Sequence, residues 1–403
     1  MKILLLNDYG APIGGAERQL VGLREAFRAR GHQVRLLTST ARPQGLPQLA
    51  DTTCLGTLTA ARTALQVANP WALSALQAEL RRFRPEIVHV KMFLTQLSPL
   101  ILKSLAAVPA IYHASWYRAV CPIGSKRFPD GTPCRVSWGS ACLRRGCLSA
   151  QCWPLMIGQM ALLRRWRQRF RGVVANSQAV RERLLEDGFP AVEVIPNGVP
   201  ICSQRPPLNT PPTLAFAGRL EPEKGVEQLL DSMVRVCQVI PQARLLIAGS
   251  GGQSVALREQ AVRLGLGKAV QFLGFLGSVD MENALRRAWV QVVPSLWEEP
   301  FGLVAAEGLM RGTAVVASAS GGLVDIIRHG ETGLLVRPGD TGALSEAIIN
   351  LLNDRNRCER MGQVAREDAL ERFSENLSAE RFLRFYATVL AREAELTASR
   401  AAP

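Results

Sequence analysis

At 403 residues the chain has length for two domains of ordinary size, each able to bury its own core. A composition of 47% hydrophobic and 20% charged residues excludes a disordered or fibrous chain. The net charge of +14 is concentrated: residues 1–205 hold 27 of the 48 basic residues and 11 of the 34 acidic ones, giving +16 there and −2 in the rest. A basic half favours anionic partners, and no nucleic-acid-binding signature accompanies it. The expected partner is therefore an anionic membrane surface or lipid phosphate, and no nucleic acid.

The chain opens MKILLLND, whose four-residue apolar run is too short for the core of a signal peptide. The uncharged stretch at residues 148–163 contains Pro154 and Gly158 and is no membrane span. The expected location is cytoplasmic, peripheral on the inner face of the membrane.

In the first half, short apolar runs alternate with amphipathic stretches. Strands are predicted at 3–6, 34–37, 87–90, 110–113, 173–175 and 192–195, with a helix over 16–30 in which Leu20, Leu23 and Phe27 share a face. Residues 201–213 carry four prolines without hydrophobic periodicity and read as a linker. The alternation then resumes, with strands at 214–217, 244–248, 270–273, 290–293, 314–317 and 334–336 and helices over 226–239 and 340–352. A last amphipathic helix covers roughly 374–396. Strands alternating with helices imply α/β architecture: two Rossmann-like, doubly wound parallel sheets.

The stretch VVPSLWEEPFGLVAAEG, residues 292–308, holds two carboxylates eight positions apart, Glu299 and Glu307. Pro300 and Gly302 argue against one continuous helix through both. Glu299 is therefore placed on a loop at a strand's carboxyl end and Glu307 one or two turns into the following helix. From there the two acids can accept hydrogen bonds from separate hydroxyls of one elongated ligand beyond the strand ends. Arg219 and Lys224 follow another strand across a tight turn. An Arg fork and a Lys point charge suit a diphosphate. Gly14-Gly15 lies in the first strand-to-helix loop, where backbone can approach a ligand closely, and GAPIGGAE lacks the dinucleotide-dehydrogenase pattern Gly-x-Gly-x-x-Gly. Gly249 opens a similar glycine-rich loop in the second half.

Five of the nine cysteines fall within one insertion of about residues 118–155: Cys121, Cys134, Cys142, Cys147 and Cys152. A reducing cytoplasm disfavours disulfides, and four thiolates suit structural zinc or an iron–sulfur cluster. The spacing lacks a Cys-x2-Cys hook, so buried thiols without metal stay open as the alternative. Residues 155–171 follow, with Leu155, Met156, Met160, Leu163, Trp166 and Phe170 beside five arginines, a pattern that reads as an interfacial helix.

These motifs together resemble the retaining glycosyltransferases of family four, which have the GT-B fold and a Glu-x7-Glu motif. The matching residues are Glu299 and Glu307, Gly218-Arg219-Leu220-Glu221 with Glu223-Lys224-Gly225, Gly321-Gly322, and GETGLLV at 330–336. Weaker matches are Gly14-Gly15-Ala16-Glu17, Asn176-Ser177 and Ile195-Pro196-Asn197-Gly198-Val199. The resemblance covers nearly the whole chain in order. It implies a hexosyltransferase-type enzyme with an acceptor-side domain (1–205), a donor domain (206–373) and a terminal helix (374–403) crossing back to the first, the two domains facing across a cleft.

The donor it implies is a UDP-, GDP- or ADP-sugar, and the acceptor a glycan or lipid-linked sugar in surface polysaccharide or glycolipid synthesis. By the same resemblance Glu307 holds the ribose, and Glu299 the transferred sugar beside the N–H groups of Phe301, Gly302 and Leu303. His113 contacts that sugar, Arg219 and Lys224 neutralise the leaving diphosphate, and Gly14, Gly15, Asn197, Gly218 and Gly249 belong to donor binding. No cofactor is required for catalysis. Relatives often carry Asp after the histidine, where this chain has Ala114. Two other readings remain: a nucleotide-sugar epimerase of the same fold, and a non-catalytic sugar-nucleotide-binding scaffold.

Overall fold

Four consecutive apolar residues without alternation, Ile3 to Leu6, mark a strand covered on both faces, and all four are fully buried. They lie in β1 (Lys2–Tyr9), an interior strand of a seven-stranded parallel sheet. Its other strands are β2 (Gln33–Ser39), β3 (Thr52–Cys54), β4 (Ile87–Met92), β5 (Ala110–Ala114), β6 (Gly172–Ala175) and β7 (Glu193–Val194), in the spatial order β3-β2-β1-β4-β5-β6-β7. This computed structural model describes residues 1–43 and 45–401. The second sheet comprises β8 (Thr213–Ala217), β9 (Arg244–Ala248), β10 (Val270–Gly274), β11 (Val290–Val293), β12 (Ala314–Ser318) and β13 (Gly333–Val336). Its order is β10-β9-β8-β11-β12-β13, again with parallel pairing throughout.

Every predicted strand forms. The one without a forecast, β3, has three residues at a sheet edge, with only Cys54 buried, so it carries too few inward positions to show a period.

The chain divides into two units, Met1–Gly198 with the terminal helix Glu375–Ala401, and Val199–Ser374. The terminal helix belongs to the first unit for a packing reason. Ala379, Phe382, Tyr386 and Val389 recur at spacings of three and four, and all are buried in one core with Leu20, Leu23 and Phe27 of the helix Gly15–Ala29. Burial of such a side chain contributes about 1.5–3 kcal/mol. Residues 199–205, expected to close the first domain, pack on the second unit instead. The Val199 N–H donates to Phe373 O at 2.7 Å, and Arg205 Nε donates to Gly312 O at 2.6 Å. The four prolines of 201–213 leave this linker without regular structure up to β8.

Candidate active site

In the second sheet β8 and β11 are neighbours in space, with β9 and β10 on one side and β12 and β13 on the other. Chains leaving the carboxyl ends of β8 and β11 therefore part in opposite directions, which opens a crevice where ligands of such sheets sit. Lys224 comes from the first of these loops and Glu299 from the second. Lys224 Nζ stands 2.5 Å from Glu299 Oε1, and Ser295 Oγ donates to the same oxygen at 2.8 Å.

Glu299 is 6% exposed. Burial pushes its carboxyl up, but the Lys224 charge and hydrogen bonds from Lys224, Ser295 and Trp297 together outweigh that, holding it below its ordinary value. The ammonium also lies 5.2 Å from the centre of the Trp297 ring, a cation–π distance. The result is an ionised carboxylate of fixed orientation beside a cation.

The loops around this pair are tied backbone to backbone. Leu296 N–H donates to Glu223 O at 2.8 Å, Gly322 N–H to Glu299 O at 2.7 Å, and Leu220 N–H to Ser250 O at 2.9 Å. Gly249 has φ +143°, and a Cβ there would stand 1.8 Å from the carbonyl oxygen of Gly218, so glycine at 249 lets these two expected donor-side loops touch.

The remaining predicted residues are placed less uniformly. Arg219 has a different partner from Lys224: its side chain is 63% exposed and Nη2 donates to Glu223 at 2.9 Å. Glu307 is half-buried in the helix Leu303–Arg311, one turn past its start. Phe301 is buried in the core against Phe373, so its side chain serves packing and only its backbone is left for a ligand. Gly302, with φ +106°, turns the chain into that helix. Of the four side chains expected to converge, the structure thus joins Lys224 and Glu299 directly. Arg219 sits on the same loop with another partner.

His113 lies in the first unit, fully buried on β5. Its Nδ1 is 3.1 Å from His89 Nε2, and His89 Nδ1 is 2.5 Å from the Tyr386 hydroxyl of the terminal helix. Burial first, then Lys91 and His89, hold His113 well below its ordinary value, so the imidazole is neutral. Its Nε2 is buried without a hydrogen-bond partner, as is Asn197 Oδ1. Gly14 caps the helix Gly15–Ala29 in an extended conformation, at the carboxyl end of β1.

β1 and β4 form the corresponding divergence point of the first sheet. There Asp8, fully buried, accepts the N–H groups of Thr95, Gln96 and Leu97 at 2.7–2.9 Å and the Thr95 hydroxyl at 2.7 Å. Lys91 is buried beside Gln19, to which it donates. Burial brings this ammonium down to about 7, against the opposing pull of Glu17. Sequence reasoning passed over Asp8, Lys91, Ser295 and Trp297. A signal for Lys91 was present: His89 and Lys91 are two apart in an otherwise apolar strand, and so share one face.

Cys121, Cys134, Cys142 and Cys147 line one pocket, whereas Cys152 opens the helix Trp153–Trp166 outside it. Among the described residues no group of three or more His, Cys, Asp or Glu side chains stands at metal-holding spacing as arranged. The interfacial reading of 155–171 is corrected: Met156, Met160, Leu163 and Phe170 are buried in the protein. Two of the arginines, Arg164 and Arg167, pair with Asp187. A 3.6-residue period identifies an apolar face but not what covers it. Among the described residues no helix is long and apolar enough to cross a membrane.

Residues 13–201 match the family model Glycosyltransferase Family 4, and residues 203–368 match Glycosyl transferases group 1. A phosphatidyl-myo-inositol mannosyltransferase of Mycobacterium leprae is 30% identical over 401 residues, covering 96% of this chain and 97% of its own. The chain is a family-four glycosyltransferase. Solved relatives agree on the fold. Sucrose-phosphate synthase from Thermosynechococcus elongatus superposes with a TM-score of 0.74 at 23% identity, over 97% of this chain and all of its own. Anabaena HepE, solved with UDP and glucose, gives 0.70 at 22% identity, over 96% of this chain and 99% of its own. The two parallel-sheet units of this glycosyltransferase are accordingly the Rossmann-like domains of a GT-B fold.

Proposed function

We propose that this glycosyltransferase is a retaining enzyme that moves a hexosyl group from a nucleotide sugar to a glycan or lipid-linked acceptor in surface polysaccharide or glycolipid synthesis. The observation that carries the reading is the buried Lys224–Glu299 pair at the divergence of β8 and β11. A diphosphate entering there meets Lys224 as a point charge, and Arg219, exposed and paired with Glu223, swings in to fork onto it. These two cations supply the charge that the leaving group needs, so the proposal routes no step through a metal or other cofactor.

Glu299, ionised and fixed by Ser295, accepts hydroxyls of the transferred sugar, with the N–H groups at Phe301, Gly302 and Leu303 beside it. Because Lys224 and Ser295 occupy one of its oxygens, it acts as a binder and electrostatic stabiliser. The acceptor attacks from the face that the phosphate leaves, and the phosphate takes the acceptor proton. Glu307 accepts the ribose hydroxyls.

The first test is thermal stabilisation by a panel of UDP-, GDP- and ADP-sugars, followed by nucleoside diphosphate release and the anomeric configuration of the product. One donor is expected to stabilise selectively, with release dependent on acceptor. Turnover of the sugar without acceptor would assign an epimerase instead, and selective binding without any turnover a scaffold. With the donor known, Glu307→Gln is expected to raise KM by about 10- to 100-fold with a smaller change in kcat, the value of hydrogen bonds to a charged acceptor.

The acceptor and the +16 charge of residues 1–205 support an anionic lipid surface at the cytoplasmic face as the place of work. Flotation with phosphatidylglycerol vesicles is expected to carry the protein at low salt and release it at high salt. Equal recovery with neutral vesicles would remove this part of the proposal.

A further inference from the structure

Residues 121–152 pose a packing problem. Among the described residues their regular structure is one five-residue helix, Ser140–Arg144, and one bridge between Arg127 and Pro133. Three of their larger apolar side chains, Ile123, Val136 and Leu143, are 38%, 46% and 38% exposed. A loop-rich segment of this length with so little core of its own needs a cross-link to offset its chain entropy. All its cysteines are free thiols.

Cys142, from the helix Ser140–Arg144, and Cys121, Cys134 and Cys147, from the loops around it, line a single pocket with Arg127 and Phe128. The turns that carry them are tied together: Cys134 N–H donates to Lys126 O at 2.8 Å, and Leu148 N–H to Cys142 O at 3.0 Å.

The charge beside this pocket is an independent observation. Lys126 is 7% exposed, and its ammonium donates to the Val136 carbonyl at 3.1 Å. The Cys134 thiol lies against that same carbonyl oxygen at 3.7 Å. Among the described residues no carboxylate pairs with Lys126, and the segment carries Lys126, Arg127, Arg135, Arg144 and Arg145 against Asp130 alone. A buried ammonium beside this pocket, hydrogen-bonded to a carbonyl and paired with no carboxylate among the described residues, lacks a counter-charge. Four thiolates around a divalent ion carry a net charge of about −2 and supply one.

We propose that Cys121, Cys134, Cys142 and Cys147 bind one structural zinc ion, with Lys126 as the charge partner of the tetrathiolate and Cys152 outside the site. The thiols surround the pocket at more than ligand spacing, and zinc–sulfur bonds of about 2.3 Å draw them inward. Such a site is closed, with no open coordination position, and pins the segment rather than taking part in transfer. It therefore stands or falls separately from the glycosyltransferase reading.

The test is elemental analysis of the full chain, purified without a metal-affinity step or added metal. About one zinc per chain is expected in the wild type and in Cys152→Ser, and little in Cys134→Ser or Cys142→Ser. Chelation should release zinc and expose four further thiols to titration, and cobalt exchange should give the intense visible bands of a tetrathiolate. Wild-type protein with zinc well below one per chain overturns the proposal, and this readout does not depend on any variant folding. Equal loss of zinc from Cys152→Ser overturns the ligand set. Disulfides among the four cysteines, or bound iron with sulfide, overturn zinc as the cross-link.

Discussion

Replacing Lys224 with methionine is expected to lower kcat/KM by about 100- to 1000-fold, the range for removing one preorganised charge-stabilising group, and to destabilise the second unit. The stability effect follows from burial. Glu299 is kept ionised in a site where burial alone would push its carboxyl up, and Lys224 is the largest opposing influence. Removing one partner of a buried pair strands the other charge, at about 3 kcal/mol for groups this well covered.

The double variant Lys224→Met/Glu299→Gln removes both charges and should recover most of that stability while staying inactive. The pH dependence follows. In the wild type Glu299 titrates below its ordinary value, so its contribution is complete above the unfolded-state pKa and is lost as pH falls through the folded one. In Lys224→Met, burial is opposed only by the hydrogen bonds of Ser295 and Trp297, and the folded pKa rises. The stability gap between the two proteins should therefore be widest near neutrality and narrow toward pH 4, read by urea unfolding. A gap that does not change with pH would show that the ion pair contributes nothing. A double variant with full activity would remove Lys224 and Glu299 from the site.

The legible parts of this fold and site were those where local chemistry fixes the answer. Apolar runs such as 3–6 and 314–317 could only be covered strands, and Pro300 with Gly302 forced Glu299 onto a loop ahead of the helix that carries Glu307. The parts that were not legible depend on what lies across from a residue. The apolar stripe of 155–171 has the same period whether lipid or protein covers it, and here protein does. Arg219 and Lys224 read alike as loop cations, yet Glu223 four residues on holds one outward while Glu299, 75 residues on, holds the other inward. Ser295 is an ordinary turn residue until its hydroxyl is seen on the Glu299 carboxylate. The spacing of the five cysteines did not single out any of them, and only the pocket they line separates four from Cys152.

Gly321→Ala is expected to cost at least about 2 kcal/mol of stability and about 100-fold in kcat. It does so without touching any side chain assigned to chemistry. Gly321 has φ +57°, where alanine alone pays about 1–2 kcal/mol. The larger effect is contact: a Cβ there would stand 2.2 Å from Glu299 O and 2.6 Å from Glu299 N. Both are backbone atoms that cannot rotate away, so the loop bearing Glu299 must move.

That movement breaks the 2.7 Å bond from Gly322 N–H to Glu299 O and shifts the carboxylate relative to Lys224 and Ser295, and misplacement of about 1 Å costs about 100-fold. Gly330→Ala is the control. Gly330 has φ +85° with no atom within 4 Å of an added Cβ, so it pays the backbone strain alone and should keep near-wild-type kcat. Urea unfolding and steady-state kinetics on both variants separate strain from displacement. If Gly321→Ala were as active as Gly330→Ala, the position of Glu299 would not matter to transfer, because its backbone cannot stay in place with a methyl group at that distance.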